Sequence, residues 1–153
     1  MSELKYVPHI NQFLQAMRVN RRSLDSNSKV TIDAKLLKAL LRTAVKCVPF
    51  SEQFYLETYP DIAQAYAAGQ LKDLKQHYVE QGYFEGRVGA PATVDKPYYL
   101  HRNGDVAEAM TRGDFTSVAQ HYHECGYREG RSPSAALEPE IEMWSSVLPN
   151  NTD

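Results

Sequence analysis

Two sets of side chains in this sequence have the residue types for acid–base chemistry or anion binding. The first set is His77, Tyr78, Glu85 and Arg87. Histidine titrates near neutral pH, glutamate can act as a base, and the planar guanidinium of arginine binds carboxylates or phosphates. The same residue types recur further along the chain at His121, Tyr122, Glu129 and Arg131.

The duplication of these sets favours a structural role over a catalytic one. A site that is used once needs no second copy at a fixed distance, whereas a network that holds a fold together does. Glutamate–arginine pairs with a hydrogen-bonded histidine often fix a turn against a helix. We therefore expect both sets to stabilise the fold, with His77 partly buried and hydrogen-bonded.

The other cysteines, histidines and glycines form no recognisable cofactor site. On a helix His123 points away from His121 and Cys125, which makes a zinc site there improbable. Cys47 and Cys125 have no CxxC partner, so we expect two buried thiols in a reducing compartment. Gly82, Gly86 and Gly89 form no phosphate-binding pattern. We expect no metal, no cofactor and no catalytic residue, although an enzyme without a known motif stays open.

The overall charge gives no sign of a nucleic-acid partner. The formal net charge is -2, whereas nucleic-acid-binding domains normally carry a basic face. Arg18, Arg21 and Arg22 form a small basic cluster beside a polar run. They are expected to lie at a solvated helix end, with an adaptor for nucleic acid or a membrane surface as the alternative.

No run of the sequence approaches the ~18 apolar residues that a transmembrane helix needs. Charged and polar residues interrupt Met1–Phe13, where a signal peptide would have an apolar core. These features predict a cytoplasmic protein.

The two polar sets belong to a longer internal repeat. With a shift of 44 residues, Phe54–Arg87 aligns with Tyr98–Arg131 without a gap, and 15 of the 34 aligned positions are identical. This density of matches indicates a duplication. Besides the two polar sets, the identical pairs include Tyr55/Tyr99, Leu56/Leu100, Asp61/Asp105, Gly69/Gly113, Gly82/Gly126, Tyr83/Tyr127 and Gly86/Gly130.

Each repeat has the apolar spacing of helices. Leu71, Leu74 and Tyr78 recur at i, i+3 and i+7, which places them on one face of a helix, and Gly82 is expected to end that helix as a left-handed residue. The counterparts in the second repeat are Phe115, Val118, Tyr122 and Gly126.

Two shorter helices are expected before the long helix of each repeat. The earlier covers Ser51–Tyr59, and the next has Asp61 in its first turn and Gly69 as a left-handed terminal residue. The counterparts in the second repeat are Lys96–Arg102, Asp105 and Gly113.

The N-terminal third is expected to cover the repeats, because two repeats alone do not close a core. Asp33–Val48 reads as an amphipathic helix with a broad apolar stripe. This helix either caps the repeats or pairs with itself in a homodimer, and both possibilities stay open. Leu4–Val19 is predicted to form another helix. The leucines that are candidates for dimer or partner contacts are Leu36, Leu37, Leu40 and Leu41.

The sequence predicts an all-α protein with two tandem helical repeats that forms one folded domain. The expected segments are a helical N-terminal part (1–48) with a polar linker (20–30), the first repeat (49–90), the second repeat (91–135) and a C-terminal tail (136–153). In the tail, Pro139–Leu148 is expected to form a short helix. Aromatic residues that do not recur as pairs are the other candidates for partner contacts: Tyr59, Tyr66, Tyr98 and Trp144.

The strings HYVEQGYFEGR and HYHECGYREGR, with YLETYPDIAQAYAAG before the first, resemble a helical repeat of bacterial proteins that make surface polysaccharides. Such repeats accompany glycosyltransferase or methyltransferase domains. The resemblance covers Phe50–Pro133, and the second copy departs from it with Asn103-Gly104 in place of Tyr59-Pro60. It implies an accessory helical module without a transferase active site, whose partner is a glycosyltransferase or another polysaccharide-assembly protein.

The function expected from the sequence is therefore a non-catalytic protein–protein interaction or regulatory module. The first alternative is a small enzyme or metabolite-binding protein that uses the duplicated His/Glu/Arg sets in a cleft between the repeats. The second is the adaptor that works through the arginine cluster.

Overall fold

The computed structural model describes residues 6–25 and 27–148, and every regular element within them is helical. The all-α prediction is confirmed. Leu4 and Lys5 of the predicted first helix, and residues 149–153 of the predicted tail, lie outside the described residues. The chain divides into two compact units, with the boundary between Ala90 and Pro91.

The first unit begins with two helices. Helix α1 (Ile10–Met17) buries Leu14, and a short 3-10 turn (Arg21–Leu24) follows within the predicted linker. Helix α2 (Ala34–Lys46) starts where the Asp33 carboxylate accepts a hydrogen bond from a backbone amide of the first turn. It contacts the π-helix described below and buries only Val45, so much of its apolar stripe stays exposed.

The rest of the first unit packs around aromatic rings. It consists of α3 (Glu52–Thr58), α4 (Pro60–Ala67), α5 (Leu74–His77) and a π-helix (Tyr78–Gly82) that continues α5. Proline suits the first position of α4, because the missing N–H would have no partner there. The buried core of this unit is Val45, Tyr55, Ile62, Leu74, Tyr78 and Val79.

The second unit has a similar order of elements. It consists of α6 (Lys96–Arg102), α7 (Gly104–Arg112), α8 (Val118–His121), a second π-helix (Tyr122–Gly126) and α9 (Glu138–Ser145). Its buried core cluster is Tyr99, Val106, Val118 and Tyr122.

The long helix of each repeat begins later than its apolar spacing predicts. Leu71 and Phe115 precede α5 and α8, because the side chains of Asp73 and Ser117 cap these helices by accepting amide hydrogen bonds. Each helix then widens, and the amide of Tyr83 donates to the carbonyl of Tyr78 five residues earlier at 2.8 Å. The apolar periodicity therefore predicted the buried face of each helix correctly, but not the residue at which the helix begins.

The prediction for Gly82 and Gly126 is wrong. Both lie buried inside the π-helices, and the left-handed terminal glycines are Gly86 and Gly130, with φ of +81° and +72°. The amide of the residue after each then bonds to the carbonyl five residues back, as in a Schellman motif. The same prediction for the shorter helices is confirmed, since Gly69 and Gly113 have φ of +73° and +84°.

The prediction of two buried thiols is also wrong for Cys47, which is exposed at the end of α2. Val45, two positions earlier, is the buried residue of α2. Side chains two positions apart on a helix point in different directions, so the Cys47 side chain does not follow Val45 into the core. Cys125 is partly buried.

Candidate functional site

Arg87 joins the turn after the first π-helix to the start of α4. Its Nη1 and Nη2 donate to the two carboxylate oxygens of Asp61 at 3.0 and 2.7 Å, and its Nε donates to Glu85 at 2.8 Å. The guanidinium also lies 4.9 Å from the ring centre of Tyr59. All three nitrogens of the arginine are therefore engaged within the unit.

Arg131 has the same arrangement in the second unit. Its Nη1 and Nη2 donate to Asp105 at 2.9 and 2.8 Å, and its Nε donates to Glu129 at 2.6 Å. Nη1 also donates to the side-chain oxygen of Asn103 at 3.0 Å. Asn103 and Asp105 stand at the beginning of α7, so this arginine also connects a turn to a helix start.

The ion pairs shift the pKa values of both partners. Hydrogen bonds from Arg87 and Arg131 lower the pKa of Asp61 and of Asp105, and bonds to the carboxylates raise the pKa of each arginine. Each arginine thus keeps its charge and has two carboxylates beside it. An incoming anion would have to displace those carboxylates, so neither arginine is prepared for anion binding.

The histidines of the two sets bond tyrosines, whereas the arginines bond carboxylates. Nδ1 of His77 lies 3.1 Å from the hydroxyl of Tyr55, and Nδ1 of His121 lies 3.0 Å from the hydroxyl of Tyr99. Both tyrosines are fully buried. Burial raises the pKa of Tyr55 and Tyr99 to about 12, so these hydroxyls stay protonated and are poor general bases.

Each predicted set is therefore split into two parts. The histidine faces a core tyrosine, while the glutamate and arginine form a partly exposed cluster at the turn. Tyr78 and Tyr122 lie in the two cores, with their rings 5.8 Å from Tyr55 and 6.0 Å from Tyr99, centre to centre. The prediction missed the aspartates and core tyrosines as partners, although both recur at the 44-residue shift.

A close contact inside each unit was also missed. A side chain at Gly82 would collide with the hydroxyl of Tyr55, and one at Gly126 would collide with the hydroxyl of Tyr99. The π-helix thus passes directly over the tyrosine that bonds the histidine. The recurrence of these glycines was visible in the sequence, but their buried position was not.

The candidates for partner contacts fall into different environments. Leu37 and Leu40 are exposed, whereas Leu36 and Leu41 are partly buried. Among the aromatic candidates, Tyr66 and Trp144 are exposed and Tyr98 is partly buried. Tyr59 is held in place, because its hydroxyl accepts a hydrogen bond of 2.7 Å from the amide of Val88.

A polar groove lies within the second unit between α6 and α9. Its volume is about 450 Å³, which falls within the range of small-molecule sites. Arg102 and Glu138 form an ion pair at its rim. Tyr98 lines the groove, and its buried hydroxyl has no hydrogen-bond partner among the described residues. Other lining residues include Arg131, Ile141 and Glu142.

The arginine cluster is exposed, and the metal candidates do not come together. Arg18, Arg21 and Arg22 are exposed at the end of α1 and in the 3-10 turn, and Arg21 donates to Asn11. His121, His123 and Cys125 do not converge, and no group of three or more His, Cys, Asp or Glu within 6–25 and 27–148 is placed to hold a metal ion.

Comparisons with protein-family models, curated proteins and solved structures find no match to this chain. Among the helices of the described ranges, none has the length and apolar character needed to cross a bilayer.

Proposed function

We propose that this chain is a non-catalytic protein–protein interaction or regulatory module of bacterial surface-polysaccharide production. In this proposal the two units are copies of one helical module, they act in the cytoplasm, and the partner is a glycosyltransferase or another assembly protein. The link to polysaccharides comes from the HYxxxGxxEGR strings alone.

The observation that carries the non-catalytic part is the internal pairing of the candidate chemical groups. Each arginine is held by two carboxylates and each histidine by a buried tyrosine. A catalytic base or anion site needs groups directed at a substrate. Here the duplicated groups are bonded to other side chains of the same unit, which favours their role in folding.

The exposed apolar residues support an interaction surface. Leu37 and Leu40 on α2 and Met143 and Trp144 on α9 are each 42 to 52% exposed. Tryptophan is one of the residues that contribute most to binding energy in protein interfaces. Exposed apolar groups at two separate helices are therefore the features most suited to a protein partner.

The test is capture of partners by the full-length protein from bacterial cells, followed by binding of the purified hit. We expect to capture a polysaccharide glycosyltransferase or methyltransferase. This partner should bind the wild type and the His77→Gln variant with equal affinity, provided that the variant is assayed below its Tm. Loss of binding in a folded H77Q variant, or turnover of a small metabolite by the protein, would contradict the proposal.

The groove of the second unit favours a second candidate function, the binding of a small polar metabolite. The unpartnered hydroxyl of Tyr98 is the specific observation behind it, because a buried polar group without a partner costs about 1–3 kcal/mol. A metabolite library screened by thermal shift should give a ligand whose stabilising effect is reduced in Tyr98→Phe. A ligand effect unchanged by that substitution would exclude the groove.

A further inference from the structure

The charges of the chain are segregated, which the net value of -2 conceals. Residues 1–50 contain nine basic and three acidic residues, a net charge of +6. Residues 91–153 contain five basic and ten acidic residues, a net charge of -5. Segments of opposite sign on one chain can attract each other between copies.

Helix α2 carries an exposed apolar stripe in the basic segment. Leu37, Leu40 and Ala44 follow the i, i+3, i+7 spacing, all are exposed, and the exposed Val48 extends the stripe beyond the helix. The helix contains no acidic residue between Ala34 and Lys46. Within the described residues, none of its four cations forms an ion pair: Lys35, Lys38, Arg42 and Lys46.

Helix α9 carries the complementary combination in the acidic segment. Met143 and Trp144 on the helix are 52 and 50% exposed, and Val147, two residues beyond its end, is 69% exposed. Glu140 lies on the same outer face, four residues before Trp144, and it has no ion pair among the described residues. No lysine or arginine occurs between Ser132 and Leu148.

We propose that the protein self-associates through contact between the apolar stripe of α2 in one copy and the outer face of α9 in a second copy. Pairing of α2 with α2 would bring two basic segments together, and pairing of α9 with α9 would bring two acidic segments together. The α2–α9 pairing buries both apolar surfaces between segments of opposite charge. This inference does not depend on the proposed function, but both use the exposed residues Leu37, Leu40, Met143 and Trp144, so self-association and partner binding would compete for them.

Each copy offers two different surfaces, α2 and α9. If both α2–α9 contacts form between the same two copies, they make an isologous, symmetric dimer. If each copy binds a different neighbour on each surface, the contact is heterologous and gives a ring or an open chain of copies. The exposed residues on either helix are few, which places the contact among small, weak interfaces. Association is therefore expected in the micromolar to submillimolar range.

The experiment is light scattering of the full-length protein over that concentration range. The α2 variant is Leu37→Gln with Leu40→Gln, and the α9 variant is Met143→Gln with Trp144→Gln. The matched control is Tyr66→Gln, which changes an equally exposed apolar residue on α4. Because all these positions are exposed, each variant should keep the wild-type Tm, which circular dichroism checks.

The wild type and the control should reach at least twice the monomer mass, with weaker association at high salt. Each variant alone should associate more than ~10-fold more weakly, since anchor residues dominate interface energy. An equimolar mixture of the two variants should recover a dimer, because the intact α2 of one can bind the intact α9 of the other.

Two results would overturn the proposal. One is a wild type that stays monomeric throughout. The other is a variant that still associates like the wild type, because a self-pairing α2 would be unaffected by changes in α9, and a self-pairing α9 would be unaffected by changes in α2.

Discussion

At the scale of single residues, the interior of each unit depends on a glycine that lies against a tyrosine hydroxyl. Gly82 faces Tyr55 and Gly126 faces Tyr99, and in each case the tyrosine also bonds a histidine. The absence of a side chain lets the π-helix come this close. The glycine is therefore required by packing, since its φ is not in the left-handed region.

Replacement of Gly82 by Ala should lower the free energy of unfolding by on the order of 1–3 kcal/mol, because the new methyl group overpacks the core against Tyr55. Urea unfolding followed by circular dichroism measures the effect. The control is Gly104→Ala at the first position of α7, where no atom lies within 4 Å of the added carbon. That change should be neutral or stabilising by about 0.4–1 kcal/mol. Equal effects of the two substitutions would refute the packing explanation.

Two adjacent tyrosines provide a matched test of the hydrogen bond to histidine. Tyr99→Phe leaves buried His121 without its partner and should cost about 1–3 kcal/mol. Tyr98→Phe removes a buried hydroxyl that has no partner among the described residues, so it should be neutral or stabilising. Chemical denaturation measures the free energy of unfolding of both variants. A larger decrease in Tyr98→Phe than in Tyr99→Phe would contradict the prediction that the hydroxyl of Tyr99 stabilises the fold and that of Tyr98 does not.

At the scale of helices, apolar spacing predicted the elements better than it predicted their ends. The predicted Lys96–Arg102 matches α6, and α3 lies within the predicted Ser51–Tyr59. The long helices start late because a capping side chain at Asp73 competes with the apolar pattern. The widening to a π-helix left no periodic signal, because it depends on how Gly82 packs in three dimensions.

The polar partners could be predicted by residue type but not by pairing. Glu85 and Arg87 were expected to fix a turn, and they are in contact. The second carboxylate, Asp61, lies 26 residues away from Arg87 in sequence. Nothing in the local pattern shows that the start of one helix and the turn after another come together, so only the fold reveals this contact.

Replacement of Arg131 by Lys should destabilise the protein by about 1 kcal/mol, because lysine cannot form the bidentate contact with Asp105 while also bonding Glu129. The partial exposure of the carboxylates keeps the effect small. The control is Arg112→Lys, since Arg112 and its partner Asp114 are both about half exposed and should contribute little. Thermal unfolding of the two variants tests this difference, and equal Tm values would argue against a structural role for Arg131.

At the scale of the whole molecule, the helical spacing of apolar residues predicted the all-α class, which the structure confirms. The net charge of the whole chain concealed the distribution of charge along it. The net charge of -2 gives no sign of a charged surface, and the only local cluster predicted from the sequence was Arg18, Arg21 and Arg22. A sum over the chain cannot reveal that a basic segment precedes an acidic one, and this separation underlies the proposed association.

Both units should lose stability in the same alkaline range. Burial raises the pKa of Tyr55, Tyr99 and Tyr122 to about 12, above the ordinary value of about 10. Below pH ~10 these residues are protonated in both the folded and the unfolded chain, so stability is unaffected. Between about pH 10 and 12 the unfolded chain releases protons first, and the free energy of unfolding should fall. Unfolding titrations across this range test the decrease, and a flat profile would contradict it.

The contact between Gly82 and Tyr55 also limits how this chain can change over generations. An alanine at position 82 is accommodated only when the hydroxyl at position 55 is lost, as in phenylalanine. Loss of that hydroxyl in turn leaves His77 without its partner, so position 77 is freed to vary. Positions 55, 77 and 82 should therefore be inherited as a set of three, and positions 99, 121 and 126 as an independent second set.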